Sequence, residues 1–183
     1  MKNISQNALH NGLLGGGATV VYMLVLYLVN PKLMFHPLWA FLPYLVIFPL
    51  FMTLAALADR KDNGGYIKME VAFKSVFFTA AFALFIFVAF LFIMKSVVDP
   101  KLVGVERQAN IEFLEWVAEQ TEADADDMEK VIEKIKETDM TPHLGNAWVS
   151  YILSLMMGTI PGLIIAAAVR RLRPISDDRV IDN

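Results

Sequence analysis

Four stretches of this chain run for roughly 20 residues without a charged side chain, the length that crosses about 30 Å of hydrocarbon. They are GLLGGGATVVYMLVLYLV at 12–29, LWAFLPYLVIFPLFMTLAALA at 38–58, SVFFTAAFALFIFVAFLFIM at 75–94 and AWVSYILSLMMGTIPGLIIAAAV at 147–169. In lipid, every backbone N–H and C=O must find a partner within its own segment, so each stretch is predicted to be a helix. Composition agrees: 56% of the 183 residues are hydrophobic and 19% are charged, whereas about a quarter are charged in a soluble domain. The expected fold class is all-α, an integral membrane four-helix bundle formed as one domain. Short links between the first three spans make successive spans antiparallel neighbours. The first span has the weakest start, because Gly15, Gly16 and Gly17 lower its helix propensity. It is expected to be retained: only Lys2 forms a basic leader, and no small-x-small cleavage site follows.

Orientation follows from Lys and Arg near the span ends. One side carries Lys2, Arg60, Lys61, Lys68, Lys74, Arg170, Arg171, Arg173 and Arg179. The other carries Lys32, Lys95, Lys101 and Arg107 close to the spans. Both termini are therefore expected to be cytoplasmic in a bacterial inner membrane, with the long 97–146 connection in the periplasm. The basic residues Arg60, Lys61, Lys68, Lys74, Arg170, Arg171 and Arg173 are candidate contacts for anionic lipid head groups. Tyr66, Trp39 and Trp148 suit the membrane–water boundary. An interfacial helix is expected to lead from the Gly64-Gly65 turn into span 3, and the tail 174–183 reads as disordered.

The 97–146 connection is too charged for a simple turn and reads as an extramembrane amphipathic helical hairpin. Its first helix, about 106–120, aligns Ile111, Leu114 and Val117 beside Phe113 and Trp116. Its second, about 127–138, repeats Met128, Val131, Ile132 and Ile135 at helical spacing. Asp126 followed by Glu129 resembles a capping box, and Asp124, Asp126 and Asp127 suit a helix N-terminus. A calcium loop does not fit: counted from Asp124, the fifth and sixth places hold Met128 and Glu129 rather than an oxygen ligand and glycine. The apolar stripes must rest on the bundle, on the lipid interface or on a partner.

Span 4 has the clearest regularity. Ser150, Ser154, Gly158, Gly162 and Ala166 recur every fourth residue, and small-xxx-small faces let helix backbones approach closely in lipid. Gly12 and Gly16 offer a matching face on span 1. Contact within the bundle is the favoured reading of this face, and a dimer or partner contact is the other. Pro43, Pro49 and Pro161 each remove a backbone donor and are candidate hinges, with Thr53 and Thr159 placed to satisfy the exposed backbone groups.

Reactive groups are scarce. There is no cysteine, which excludes disulfides and thiolate chemistry. His10, His36 and His143 form a poor metal set without suitably spaced carboxylates. No ionisable residue falls inside the spans as drawn, which argues against an ion-coupled pump. No HExxH, GxSxG or P-loop is present. No catalytic residue, metal site or cofactor is expected, and the chain is not expected to be an enzyme.

The layout resembles a bacterial family of domains of unknown function, number 4199, common in Bacteroidetes. The resemblance rests on "NGLLGGG", "GGYIKMEVAFKSVFFTA", "VDP" after span 3, an acidic excursion ending in "MTP" and a last span closing on "RRLRP". It implies a four-span inner-membrane protein and implies no site residues. The function expected is that of a non-enzymatic accessory or structural subunit of a membrane assembly. The alternative is a small homo-oligomeric transporter or lipid-handling protein; a lipid-modifying enzyme ranks third. Partners expected are membrane lipids and another membrane protein or a second copy, not nucleic acid.

Overall fold

A computed structural model of the protein describes residues 4–121, 125–138 and 140–172. It is all-α, and among the described residues the only β pairing is one isolated bridge, Ile67 to Arg171. The helices are α1 (Ile4–Val29), α2 (Pro37–Leu42), α3 (Phe48–Asp62), α4 (Met69–Ile93), α5 (Leu102–Thr121), α6 (Ala125–Glu137) and α7 (Leu144–Val169). Four helical runs are long and apolar enough to cross a membrane: Gln6–Val29, Pro37–Asp62, Met69–Val98 and Leu144–Val169. Each run reaches beyond the charge-free stretch that announces it, because a helix continues past the hydropathy edge where neighbours cover its next turn.

α1 runs unbroken through its three glycines because two of them are packing positions. A Cβ on Gly12 would sit 2.6 Å from Phe82 Cβ, and one on Gly16 would sit 2.8 Å from Ile86 Cβ, both on α4. Gly15 faces Phe51 of α3. The glycine face of span 1 thus makes the contact within the bundle expected of it, with span 3 through Gly12 and Gly16 and with span 2 through Gly15. The reason is position. α4 touches each of α1, α3 and α7 and stands at the middle of the bundle.

The second span is one rod made of α2, a π-helical turn at Pro43–Ile47, and α3. The Phe48 N–H bonds to the Pro43 carbonyl, five residues back. Pro49 has no N–H, and its ring crowds the carbonyl four residues earlier, so the wider turn accommodates it. Pro161 leaves α7 a single helix. Thr53 donates to the Pro49 carbonyl and Thr159 to the Leu155 carbonyl, each one turn back on its own helix. Neither reaches the carbonyl that its proline frees, so the expected repair by these threonines is corrected.

After α3 the chain turns sharply, with Gly64 and Gly65 at φ 70° and 88°, a backbone that residues with a Cβ rarely adopt. Ile67 then runs extended and exchanges two hydrogen bonds with Arg171, at 2.8 and 3.0 Å, and the helix expected to lead into span 3 begins after it, at Met69. At the other end, α5 docks on the 3-10 turn Pro31–Met34 and on the π turn Met94–Val98, and α6 packs on α5. Leu102, Ala109 and Ile111 are buried in that contact. Ion pairs Lys32–Glu112 (2.9 Å) and Lys95–Glu106 (2.6 Å) cross it. Residues 122–124 and the side chains of Asp126, Asp127 and Glu129, which carry the expected acidic cap, lie outside the described residues, as do Arg173 and the tail 174–183.

Candidate functional site: a cleft between α4 and α7

The way α4 meets α7 changes along its length, and the sequence explains the change. Toward the basic end α4 presents Ala72, Ser75, Val76, Thr79 and Ala80, all buried. There Gly162 comes within 3.2 Å of Val76 Cγ1, counted from where its Cβ would be, and Ala166 is fully buried. Toward the hairpin end α4 carries Phe85, Phe87, Leu91 and Phe92 instead. Bulky side chains hold helix axes apart where small ones let them close. Accordingly the buried residues of α7 are Gly162, Ala166 and Val169, all in its last third. The first half of α7 stands off, and a cavity of about 560 Å³ opens beneath the linker that joins α6 to α7.

Aromatic and aliphatic side chains form the floor, with Phe87, Leu91 and Phe92 on α4. The wall holds Tyr44, which the π turn carries into the bundle. Its ring meets Phe48 edge-on at 5.2 Å and Phe87 at 6.1 Å, and its hydroxyl shares a 3.2 Å hydrogen bond with Ser154 Oγ. At the mouth, Lys95 Nζ donates to Glu106 Oε2, with both side chains largely enclosed, and the Phe35 ring lies 5.3 Å from the ammonium. Asn146 and Ser150 complete the polar rim. A second cavity of about 220 Å³, lined by apolar and aromatic side chains with Tyr151 among them, lies on the other side of the same helix contact. The arrangement is a binding geometry: apolar walls, a few convergent polar groups and a charge pair at one end.

The residues singled out from sequence separate in space. The span 4 stripe splits between two jobs. Gly162 and Ala166 pack on the bundle; Ser150 and Ser154 line the cleft; Gly158 lies between, 3.9 Å from Leu84. Pro43 and Pro49 bracket the turn that aims Tyr44. The described basic residues gather at the far end. There Arg60 donates to the Val169 carbonyl (3.4 Å) and Lys74 pairs with Glu70. Arg171 holds the bridge and lies 5.9 Å from the Tyr66 ring, while Lys61, Lys68 and Arg170 are exposed. Among the described residues, no group of three His, Cys, Asp or Glu could hold a metal.

One residue contradicts the sequence reading outright. Asp59 looks like the first charge of a stop signal, yet α3 continues through it and buries it almost completely. Asn7 Nδ2 donates to its Oδ1 at 2.8 Å and also to Asp62 Oδ2 at 2.8 Å. Asp59 Oδ2 and the neighbouring buried Ser75 Oγ have no well-aligned partner. The second span therefore does contain an acid. Its burial depends on α1 beginning two turns before Gly12, which brings Asn7 over it.

Length, hydropathy and packing make this a multi-pass α-helical membrane protein. The chain belongs to the family described as Protein of unknown function (DUF4199), whose profile matches residues 10–171. No curated protein and no solved structure matches it.

Proposed function

We propose that the protein is a non-enzymatic membrane protein that holds an amphiphile, a lipid or lipid-like molecule, in the cleft between α4 and α7. The observation that carries this is the cleft itself: aromatic walls from Tyr44, Phe87 and Phe92 lead to the Lys95–Glu106 pair at its mouth. Such a lining suits a molecule with an apolar body and a polar end. In this reading the protein sits in a bacterial inner membrane with both termini cytoplasmic, since Lys and Arg concentrate at the end away from the hairpin. The hairpin then roofs the cleft from the periplasmic side. The test is to purify the protein from its membranes in mild detergent and quantify bound amphiphiles by mass spectrometry. Ser154→Trp fills the cleft and is expected to lower the bound amount at least about tenfold, the effect of losing roughly 1.4 kcal/mol of affinity. Equal amounts on both proteins would sink the proposal.

A second reading, an accessory subunit of a membrane assembly, draws support from the hairpin. Phe113 and Trp116 stack at 6.0 Å on α5 and remain exposed, and Val131 is exposed on α6. Exposed aromatics outside the spans suit a partner protein. Trp116→Glu would then strip a stoichiometric partner from the purified protein without changing its bound lipid.

A further inference from the structure

We infer that the cleft selects a headgroup carrying both a primary ammonium and a phosphate, as in phosphatidylethanolamine; this rests on the amphiphile-binding reading above. Among the described residues, the acidic and basic side chains of Asp, Glu, Lys and Arg type that line the cleft are Lys95 and Glu106, joined at 2.6 Å. Each has capacity left over. A lysine ammonium has three donors, and Glu106 Oε2 takes one of them; a carboxylate has two oxygens, and the pair engages Oε2, leaving Oε1. An anionic headgroup approaching Lys95 meets the carboxylate beside it, and a cationic one approaching Glu106 meets the ammonium. A headgroup bearing both charges completes the square: its phosphate accepts from Lys95 while its ammonium donates to Glu106. Tyr44 and Ser154 lie deeper and are already bonded to each other, so the charged end belongs at the mouth.

The apolar part has its own place. Val88, Phe92 and Ala147 line both the cleft and the smaller apolar cavity, so the two chambers share one partition. A chain attached to a headgroup at Lys95 can pass over that partition and lie against Phe85 and Trp148. A free phosphate or amino acid would leave this second chamber empty, which is why the ligand is assigned as a lipid.

The test measures binding of phosphatidylethanolamine, phosphatidylcholine and phosphatidylglycerol to the full chain in nanodiscs by native mass spectrometry. The wild type is expected to prefer phosphatidylethanolamine about tenfold over phosphatidylglycerol, the scale of one charge-assisted hydrogen bond. Phosphatidylcholine, whose quaternary ammonium cannot donate, falls below phosphatidylethanolamine. Glu106→Gln is expected to abolish the preference and raise phosphatidylglycerol binding. Because that change also loosens the hairpin, Glu112→Gln serves beside it: it cuts the Lys32–Glu112 ion pair of the hairpin without touching the cleft, and must leave the preference intact. Equal binding of the three lipids by the wild type, or a preference lost equally in both variants, overturns the headgroup assignment and leaves the amphiphile reading standing. Lipid binding that Ser154→Trp does not reduce overturns both.

Discussion

Against α1, helix α4 leaves no room for one more carbon atom; against α7 it leaves a cavity. In the first seam the missing Cβ atoms of Gly12 and Gly16 would fall 2.6–2.8 Å from side-chain atoms of Phe82 and Ile86. In the second the distance grows from 3.2 Å at Gly162 to 3.9 Å at Gly158, and beyond that Ser150 and Ser154 line the cleft. Both seams are built from small residues, so small residues alone do not decide closeness. α7 closes on α4 where Gly162 meets Val76, and stands away where Phe87 and Phe92 of α4 line the cleft. The tight seam fixes the architecture, and the graded seam leaves the cleft.

The largest expected effect comes from filling the tight seam. Gly16→Ala places its methyl against the branched Cβ of Ile86, which cannot swing aside, and overpacking of this kind costs about 1–3 kcal/mol. A lower thermal midpoint in detergent would show it. An unchanged midpoint would mean that the seam has slack to take up a methyl group. Gly17→Ala, one residue on, meets nothing within 4 Å. It is expected to leave stability unchanged or raise it by up to about 1 kcal/mol through helix propensity. Gly158→Ala belongs with Gly17, since its nearest neighbour is a flexible Leu84 methyl at 3.9 Å. If Gly158→Ala proved as damaging as Gly16→Ala, the contrast between the seams would collapse.

The smallest effect concerns the hairpin. The Glu112 carboxyl is held below the ordinary carboxylate range, first by its hydrogen bond from Lys32 and then by one from Gln108. A carboxylate lowered in the docked state stabilises docking above its undocked pKa, and that contribution disappears as pH falls through the lowered value. Both partners are about half exposed, so the effect is modest. The protection of α5 amides, taken relative to the intrinsic exchange rate at each pH, should fall on acidification, and Glu112→Gln should remove that pH response. An unchanged response in the variant would assign it to another group.

The four spans were legible because membrane crossing demands length and apolarity, and both are properties of a sequence window. The ends were not, because they depend on neighbours. Asp59 reads as a stop signal beside Arg60 and Lys61, and only the fold reveals Asn7 and Ser75 covering it. The span 4 stripe was visible as a period of four, but period does not say which part of it touches a partner helix. Gly12 and Gly16 read as a packing face, but the helix they meet is not legible, since pairing is a property of the bundle rather than of either segment. Tyr44 gave no signal beyond its flanking prolines, Pro43 and Pro49. Lys95 and Glu106 read as topology and hairpin charges, and nothing in their spacing announces a shared cleft.

The two-residue bridge between Ile67 and Arg171 gives α7 a fulcrum. It ties the exit of the last helix to the loop that links spans 2 and 3, beside the tightly seated Gly162 and Ala166. The helix beyond it has 26 residues, or about 39 Å of rise. A rod of that length, pinned at one end, turns a tilt of about 5° into roughly 3 Å of travel at the other. That far end is Leu144 to Ser154, the lip of the cleft. Any tilt about that fulcrum would change the width of the opening from the opposite end of the bundle.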